Sequence, residues 1–312
     1  MSKQRPPLQR YSRRDFFAFT AAIGAAVLPL PNLAAEPLLA RPIPRSGERL
    51  PVVGIGTAIV FDIGGDAGKR SERTAVIRTM IEGGARLIDT APSYGSAEDV
   101  LGELLSAMNV RERIFLATKV RVAAREDTLA EMRRSLERLK TAKVDLMQLH
   151  NARDANTDLG VLREWRDRGY TRYIGITSTQ PASYDNLVQV VRREKPDFLQ
   201  VGYSMSERQA EERLLPVAAE AGTAVLTALP FGRGKLFSAV RGKPLPEWAA
   251  EIGATSWAQF FLKYLLSNES VTCVIPGTDK AEYMTDNMNA ARGRLPDRAM
   301  RKRMLAFLES LG

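Results

Sequence analysis

From Pro51 onward, short apolar runs rich in β-branched residues alternate with segments of helical period. The alternation repeats eight times. The runs are PVVGIGT (51–57), RLIDT (86–90), RIFLATK (113–119), VDLMQLH (144–150), RYIGIT (172–177), DFLQVGY (197–203), TAVLTAL (223–229) and VTCVIPG (271–277). Continuous apolar runs of this length suit strands covered on both faces, as in a parallel sheet with helical crossovers. Between them, Trp257, Phe260, Phe261, Tyr264 and Leu265 fall at helical spacing, as do Leu129, Met132, Leu136 and Leu139. Both stripes read as core. Gly83-Gly84, Gly169 and Gly222 stand where helices would end. Eight β-α units in roughly 240 residues predict a single-domain α/β fold, a (β/α)8 or TIM barrel, over residues 48–295. Residues 296–312 read as a C-terminal helix. An open doubly wound sheet is the alternative, but the count of eight opposes it, and no GxGxxG or GxxxxGK[ST] phosphate loop occurs.

The first 40 residues are a separate object. A basic region with Arg13-Arg14 precedes an uncharged stretch from Phe16 to Ala35, the layout of an export signal. Ser12, Arg13, Arg14, Phe16 and Phe17 resemble the twin-arginine pattern Ser-Arg-Arg-x-Phe-Phe. A membrane anchor is the competing reading, but Pro29 and Pro31 interrupt a stretch that would need about 20 apolar residues to span a bilayer. Residues 1–40 are therefore expected to be a signal peptide and linker, cleaved near Ala35 or Ala40. That layout predicts handling by twin-arginine export machinery and a periplasmic destination. Such a route carries folded proteins, so the signal hints at a cofactor loaded before export.

Charge excludes some partners. Of 45 basic and 36 acidic residues, five and one respectively lie in residues 1–35, leaving 40 against 35 in the body. That mild excess, with no Lys/Arg stripe interleaved with aromatics, argues against nucleic-acid binding. Cys273 and His150 are the only cysteine and histidine, which removes any intrachain disulfide and any zinc site built mainly from those ligands. No metal is expected.

A barrel of this kind does its chemistry at the C-terminal ends of its strands. The second run ends in Asp89, with Tyr94 five residues later; the third ends in Lys119, the fourth in His150. Gln200 and Tyr203 lie on the sixth. Gly232-Arg233-Gly234 follows the seventh run and Gly277-Thr278-Asp279-Lys280 the eighth. Asp and Lys are rarely buried unless paired, so their convergence from adjacent strands points to a site. A Lys beside a Tyr favours the phenolate and makes the phenol a better acid. Asp89 would hold Lys119, and His150 would orient a substrate oxygen. Such a set can protonate a carbonyl oxygen but offers nothing to carbon, which must be supplied by a cofactor, hydride being the natural group.

GIGT (54–57), LIDTAPSYGSAEDVLGELL (87–105), ATKV (117–120), LMQLHNA (146–152), REWRDRGYTRYIGIT (163–177), QVGY (200–203) and IPGTDKAEYMTDNMNAA (275–291) together resemble the aldo-keto reductases. That resemblance implies a monomeric, NADPH- or NADH-dependent oxidoreductase interconverting a small-molecule carbonyl and its alcohol, with NADPH the first choice. It implies a catalytic tetrad of Asp89, Tyr94, Lys119 and His150, with Tyr94 the proton donor. It further implies cofactor contacts at Gly56, Thr57, Asp89, Gln200, Gly232, Thr278 and Asn287, and Gly277 and Lys280 on the Thr278 loop are added as candidates, Lys280 as its remaining cation. Ala228 stands where many members stack an aromatic on the nicotinamide, with Phe231 as a substitute. Gly277 and Tyr283 stand where many carry cations for the adenosine 2′-phosphate. Arg121, Arg125 and Arg153 follow the third and fourth runs and are either ligands for an acidic substrate or solvated charges. Two other functions stay open: an exported non-catalytic barrel with a binding role, and a lyase forming a Schiff base on Lys119, which requires that lysine to be unpaired.

Overall fold

Eight parallel strands form the centre of the molecule in a computed structural model that describes residues 36–121 and 124–311. The expected Arg13-Arg14 export signal and the expected cut near Ala35 lie outside the described residues. The strands are β3 (Ile55–Gly56), β4 (Leu87–Asp89), β5 (Phe115–Arg121), β6 (Val144–His150), β7 (Thr171–Ser178), β8 (Phe198–Gly202), β9 (Ala224–Ala228) and β10 (Cys273–Val274). Each pairs with the next in chain order, and the bridges Val53↔Val274 and Gly56↔Gly277 join the last to the first. The sheet thereby closes into a barrel. Glycine is required at that seam, since a Cβ on Gly56 would lie 2.9 Å from the Ile275 carbonyl oxygen. All eight expected runs carry a strand. The third is shifted, because Arg111–Arg113 forms a 3-10 turn and Val120 and Arg121 extend the pairing to Leu149 and His150. Lys119 therefore sits two residues inside its strand rather than at its end.

Helices surround the barrel: α1 (Ala67–Glu82), α2 (Ala97–Met108), α3 (Arg125–Arg138), α4 (Gly160–Asp167), α5 (Tyr184–Glu194), α6 (Leu214–Glu220), α7 (Lys235–Ala239), α8 (Trp257–Leu266), α9 (Ala281–Asn289) and α10 (Arg298–Ser310). Their starts follow capping chemistry. Asp66, Ser256 and Asp297 each accept from the backbone N–H three residues on, at 3.0, 3.1 and 2.9 Å. The aromatic stripe of α8 is core, with Phe260, Phe261, Tyr264 and Leu265 all buried. Helix α2 approaches α3 closely, so that a Cβ on Gly102 would fall 2.1 Å from the Arg138 carbonyl oxygen. Beside that contact, buried Glu98 accepts from Thr118 Oγ1 at 2.6 Å and from Arg138 Nε at 2.8 Å.

Inside the barrel the side chains form layers. The lower one is apolar, with Leu87, Phe115, Leu146, Phe198 and Leu226 among its members. An antiparallel hairpin, β1 (Ala40–Pro42) with β2 (Arg49–Pro51), closes this end and adds Ile43 and Leu50 to the same cluster. Burying each contributes about 2 kcal/mol. Glu48 in the hairpin accepts from Arg86 Nη2 at 2.9 Å and from Tyr173 Oη at 2.8 Å. Sequence patterning placed the start of the barrel at residue 48 and assigned residues up to 40 to signal and linker. The hairpin begins earlier, at Ala40, where three-residue strands carrying Pro42 and Pro51 have no periodicity to read.

Candidate active site

The layer above the apolar one is polar, and Asp89 is its centre. The carboxylate is 2% exposed and fully engaged. Lys119 Nζ donates to Oδ2 at 2.5 Å, while Gln200 Nε2 and Gln148 Nε2 donate to Oδ1 at 2.9 and 3.2 Å. Lys119 gives a second hydrogen bond to the Thr90 carbonyl at 2.9 Å, and its ammonium stands 4.9 Å from the centre of the Tyr94 ring. Burial alone would lower the Lys119 pKa, but the charge of Asp89 and then Tyr94 outweigh it and hold the ammonium above its ordinary value. Gln148 escaped the sequence reading. Its parity with Leu146 and His150 on β6 turns it inward, and a glutamine inside an apolar run was the available signal.

Tyr94 lies in the loop after β4. The turn that presents it depends on Gly95, at φ 60°, where a Cβ would fall 2.3 Å from the Asp62 carboxylate. Asp62 in turn accepts from the Ser96 backbone N–H at 2.9 Å, which ties the loop after β3 to the loop carrying Tyr94. His150 ends β6, with its ring edge-on to Tyr94 at 6.0 Å between centroids and 87° between planes. Asn151 follows in the left-handed region at φ 55°, which asparagine tolerates, and its N–H reaches Thr177 Oγ1 at 3.2 Å. Burial, and next the positive charge of Lys119, push the His150 pKa down to about 4. The imidazole is neutral at neutral pH and donates from one nitrogen. Ser93 Oγ lies 3.5 Å from Nδ1.

These groups face a cavity of 630 Å³ at the C-terminal end of the strands, where Tyr94, His150, Asp89 and Gln200 meet Gly56 and Gly277. An adjoining cavity of 280 Å³ is lined by Gly232 and shares Thr179, Leu229 and Arg233 with the first. The other candidate cofactor residues line neither. Thr278 is buried beneath its loop and accepts from Asn287 Nδ2 at 3.1 Å, so Asn287 reaches the loop through Thr278. Lys280 is exposed, 5.5 Å above the Tyr283 ring. Thr57 follows Gly56, and its Oγ1 is buried with no hydrogen-bond partner among the described residues. A nucleotide fits this set: glycines at Gly56, Gly232 and Gly277 admit close backbone approach, and Arg233 offers a cation on the wall shared by both cavities. No group of His, Cys, Asp and Glu suited to a metal occurs among the described residues.

Other sequence candidates fall elsewhere. Arg121 pairs with Glu131 at 3.0 Å and Arg125 with Glu164 at 2.7 Å, and neither they nor Arg153 lines the large cavity. Phe231 does line it, while its ring also packs on Phe237 at 4.7 Å. Lys119 is wholly buried and bonded to Asp89, the opposite of the free amine a Schiff base needs.

A closed (β/α)8 barrel with a buried Asp–Lys pair beneath a tyrosine and a neutral histidine is suited to proton transfer at a substrate oxygen. Comparison with known proteins gives the family. The aldo/keto reductase family model matches residues 52–303. The chain is 30% identical over 217 residues to the aldo-keto reductase YhdN of Bacillus subtilis, covering 64% of this chain and 62% of that one. It is 30% identical over 232 residues to the methylglyoxal reductase YeaE of Escherichia coli, covering 72% and 80%. An aldo/keto reductase from Klebsiella pneumoniae, solved with NADP and acetate, superposes with a TM-score of 0.69 at 22% identity over 84% of this chain and 93% of that one. The chain belongs to the aldo-keto reductase family. It is an oxidoreductase that interconverts carbonyl and alcohol groups with a nicotinamide nucleotide.

Proposed function

We propose that this protein reduces a small carbonyl compound with NADPH in preference to NADH, with Tyr94 donating the proton, and that it works after export. The observation that carries the chemical part is the Lys119–Asp89 pair, fully buried beneath Tyr94 and opposite His150. Asp89 keeps Lys119 charged and in place. The ammonium beside the phenol favours the phenolate left when Tyr94 gives its proton to the substrate oxygen. Neutral His150 donates a hydrogen bond to the same oxygen and fixes its direction. A nicotinamide held there would supply hydride to the carbonyl carbon. Gly56, Gln200, Gly232 and Arg233 would hold the nucleotide. The NADP in the Klebsiella relative supports NADPH, as do Arg233 on the cavity wall and Lys280 on the neighbouring loop.

The export reading rests on Ser12, Arg13, Arg14, Phe16 and Phe17. A cut after Ala35 leaves the hairpin whole, whereas a cut after Ala40 divides β1 and its pairing with Pro51. The cofactor would be loaded in the cytoplasm and retained, then recycled on the enzyme by a second, oxidisable substrate. Purifying the exported form and measuring nucleotide released on denaturation tests this reading. About one NADP(H) per chain is expected. Nucleotide-free exported protein that binds NADP and NAD only in the millimolar range would contradict it.

A further inference from the structure

Ile59 stands on the wall of the catalytic cavity, 85% exposed, with its backbone in the left-handed region at φ 68°. Both properties are unfavourable. A β-branched residue clashes with its own backbone at positive φ, and an isoleucine facing water gains nothing from its hydrophobicity. Glycine would adopt the same backbone freely. Loop mobility does not account for the conformation. Phe61 N donates to Thr57 O at 3.0 Å, Asp62 N to Ile59 O at 3.2 Å, and Arg73 Nε to Val60 O at 2.6 Å. Phe61 is fully buried beneath the loop, and Asp62 is bonded to Ser96, two residues beyond Tyr94. The fold holds Ile59 in place on the wall of the cavity that Tyr94 also lines, yet makes no use of its side chain. A backbone outlier at a site is a pointer to function.

The rest of the cavity has matching chemistry. Leu229, Pro230 and Phe231 add apolar surface. Arg233 is the one lysine or arginine on the wall among the described residues, and it lines the Gly232 cavity as well, where it would serve the nucleotide. Arg121 and Arg125 are taken by Glu131 and Glu164. A substrate carboxylate would enter without a counter-ion of its own.

We propose that Ile59 determines specificity, and that the substrate is an uncharged aldehyde or ketone with an apolar chain or ring of a few carbons. The apolar part rests on Ile59 while the carbonyl oxygen faces Tyr94 and His150. This rests on the carbonyl-reducing reading of the site. Ile59→Gly tests it with acetaldehyde, hexanal and succinic semialdehyde as substrates, and with hexanamide as an unreactive ligand of the NADP-loaded protein. The wild type is expected to favour hexanal over succinic semialdehyde by at least about 10-fold in kcat/KM. In Ile59→Gly the ratio of hexanal KM to acetaldehyde KM and the hexanamide Kd are both expected to rise about 10-fold, with hexanal kcat nearly kept. A melting temperature at or above that of the wild type would show that the variant is folded. Preference for succinic semialdehyde, or an unchanged hexanamide Kd, overturns the proposal. If the wild type reduces none of the three carbonyls, the reduction reading fails by itself, and the hexanamide Kd still decides whether Ile59 forms an apolar subsite.

Discussion

Replacing Lys119 by methionine keeps an unbranched side chain one atom shorter and removes its charge. In the wild type the ion pair is out of reach of water, with side-chain exposures of 0% and 3% for Lys119 and Asp89. After the change Asp89 keeps the Gln148 and Gln200 amides on Oδ1, but Oδ2 loses its charged donor. Removing one partner of such a pair costs about 3–5 kcal/mol, because the remaining charge is buried without compensation. The carboxylate can avoid that cost by taking up a proton. A proton on Asp89 removes the stranded charge, so the folded variant gains from acid that the wild type, with its ion pair, does not need. Stability of Lys119→Met relative to wild type is therefore expected to be better at low pH and to fall as pH rises. Urea unfolding at about pH 5.5 and about pH 8, each referred to wild type at the same pH, measures both effects. The deficit at pH 8 is expected to be about 3–5 kcal/mol and to shrink at pH 5.5. Adding Asp89→Asn removes the stranded charge and is expected to recover at least about half of the loss. A Lys119→Met protein within about 1 kcal/mol of wild type at pH 8, or a double variant whose losses simply add, refutes the reasoning.

Three other outcomes are expected. Tyr94→Phe lowers carbonyl reduction at least about 10²-fold while the NADP Kd, measured by fluorescence titration, stays within about twofold. His150 titrates near 4 in the folded chain and near 6.5 unfolded, so the unfolded state binds the extra proton between those values. The histidine's contribution is thus full above pH 6.5 and is lost as pH falls through 4. His150→Gln removes that part of the slope, and a slope identical to wild type from pH 4 to 6.5 would show that the imidazole is not held neutral. Gly102→Ala gains up to about 1 kcal/mol of helix propensity but places a methyl against the Arg138 carbonyl. A net loss of about 1–3 kcal/mol is expected in thermal unfolding, and a stabilised variant would contradict the close helix contact.

How much of this was legible in the sequence depended on what each feature rests on. The barrel strands were visible because both faces are buried, which writes a continuous apolar run at each of the eight places. The catalytic candidates were visible because ionisable residues at the ends of such runs have few structural uses. Hairpin β1–β2 was not visible, since its strands are three residues long and each ends in proline. Arg121 and Arg125 could not be assigned, because their partners Glu131 and Glu164 are set by helix packing. Ile59 gave no signal at all. Its loop is tied down by bonds from Arg73 to Val60 and from Ser96 to Asp62, which local pattern does not encode.

In the proposed reaction Asp89, Lys119, Tyr94 and His150 serve transfer of hydride from a nicotinamide to a carbonyl carbon. Its most direct test is isotopic. Hexanal is incubated with the wild type and with NADPH carrying deuterium at C4 of the nicotinamide, in both stereochemical labels separately, and the alcohol is examined by mass spectrometry. One label is expected to appear at the carbinol carbon and the other to remain on the nucleotide, with transfer reduced at least about 10²-fold in Tyr94→Phe. Alcohol formed without deuterium from either label, or labelled equally well by Tyr94→Phe, would contradict the account.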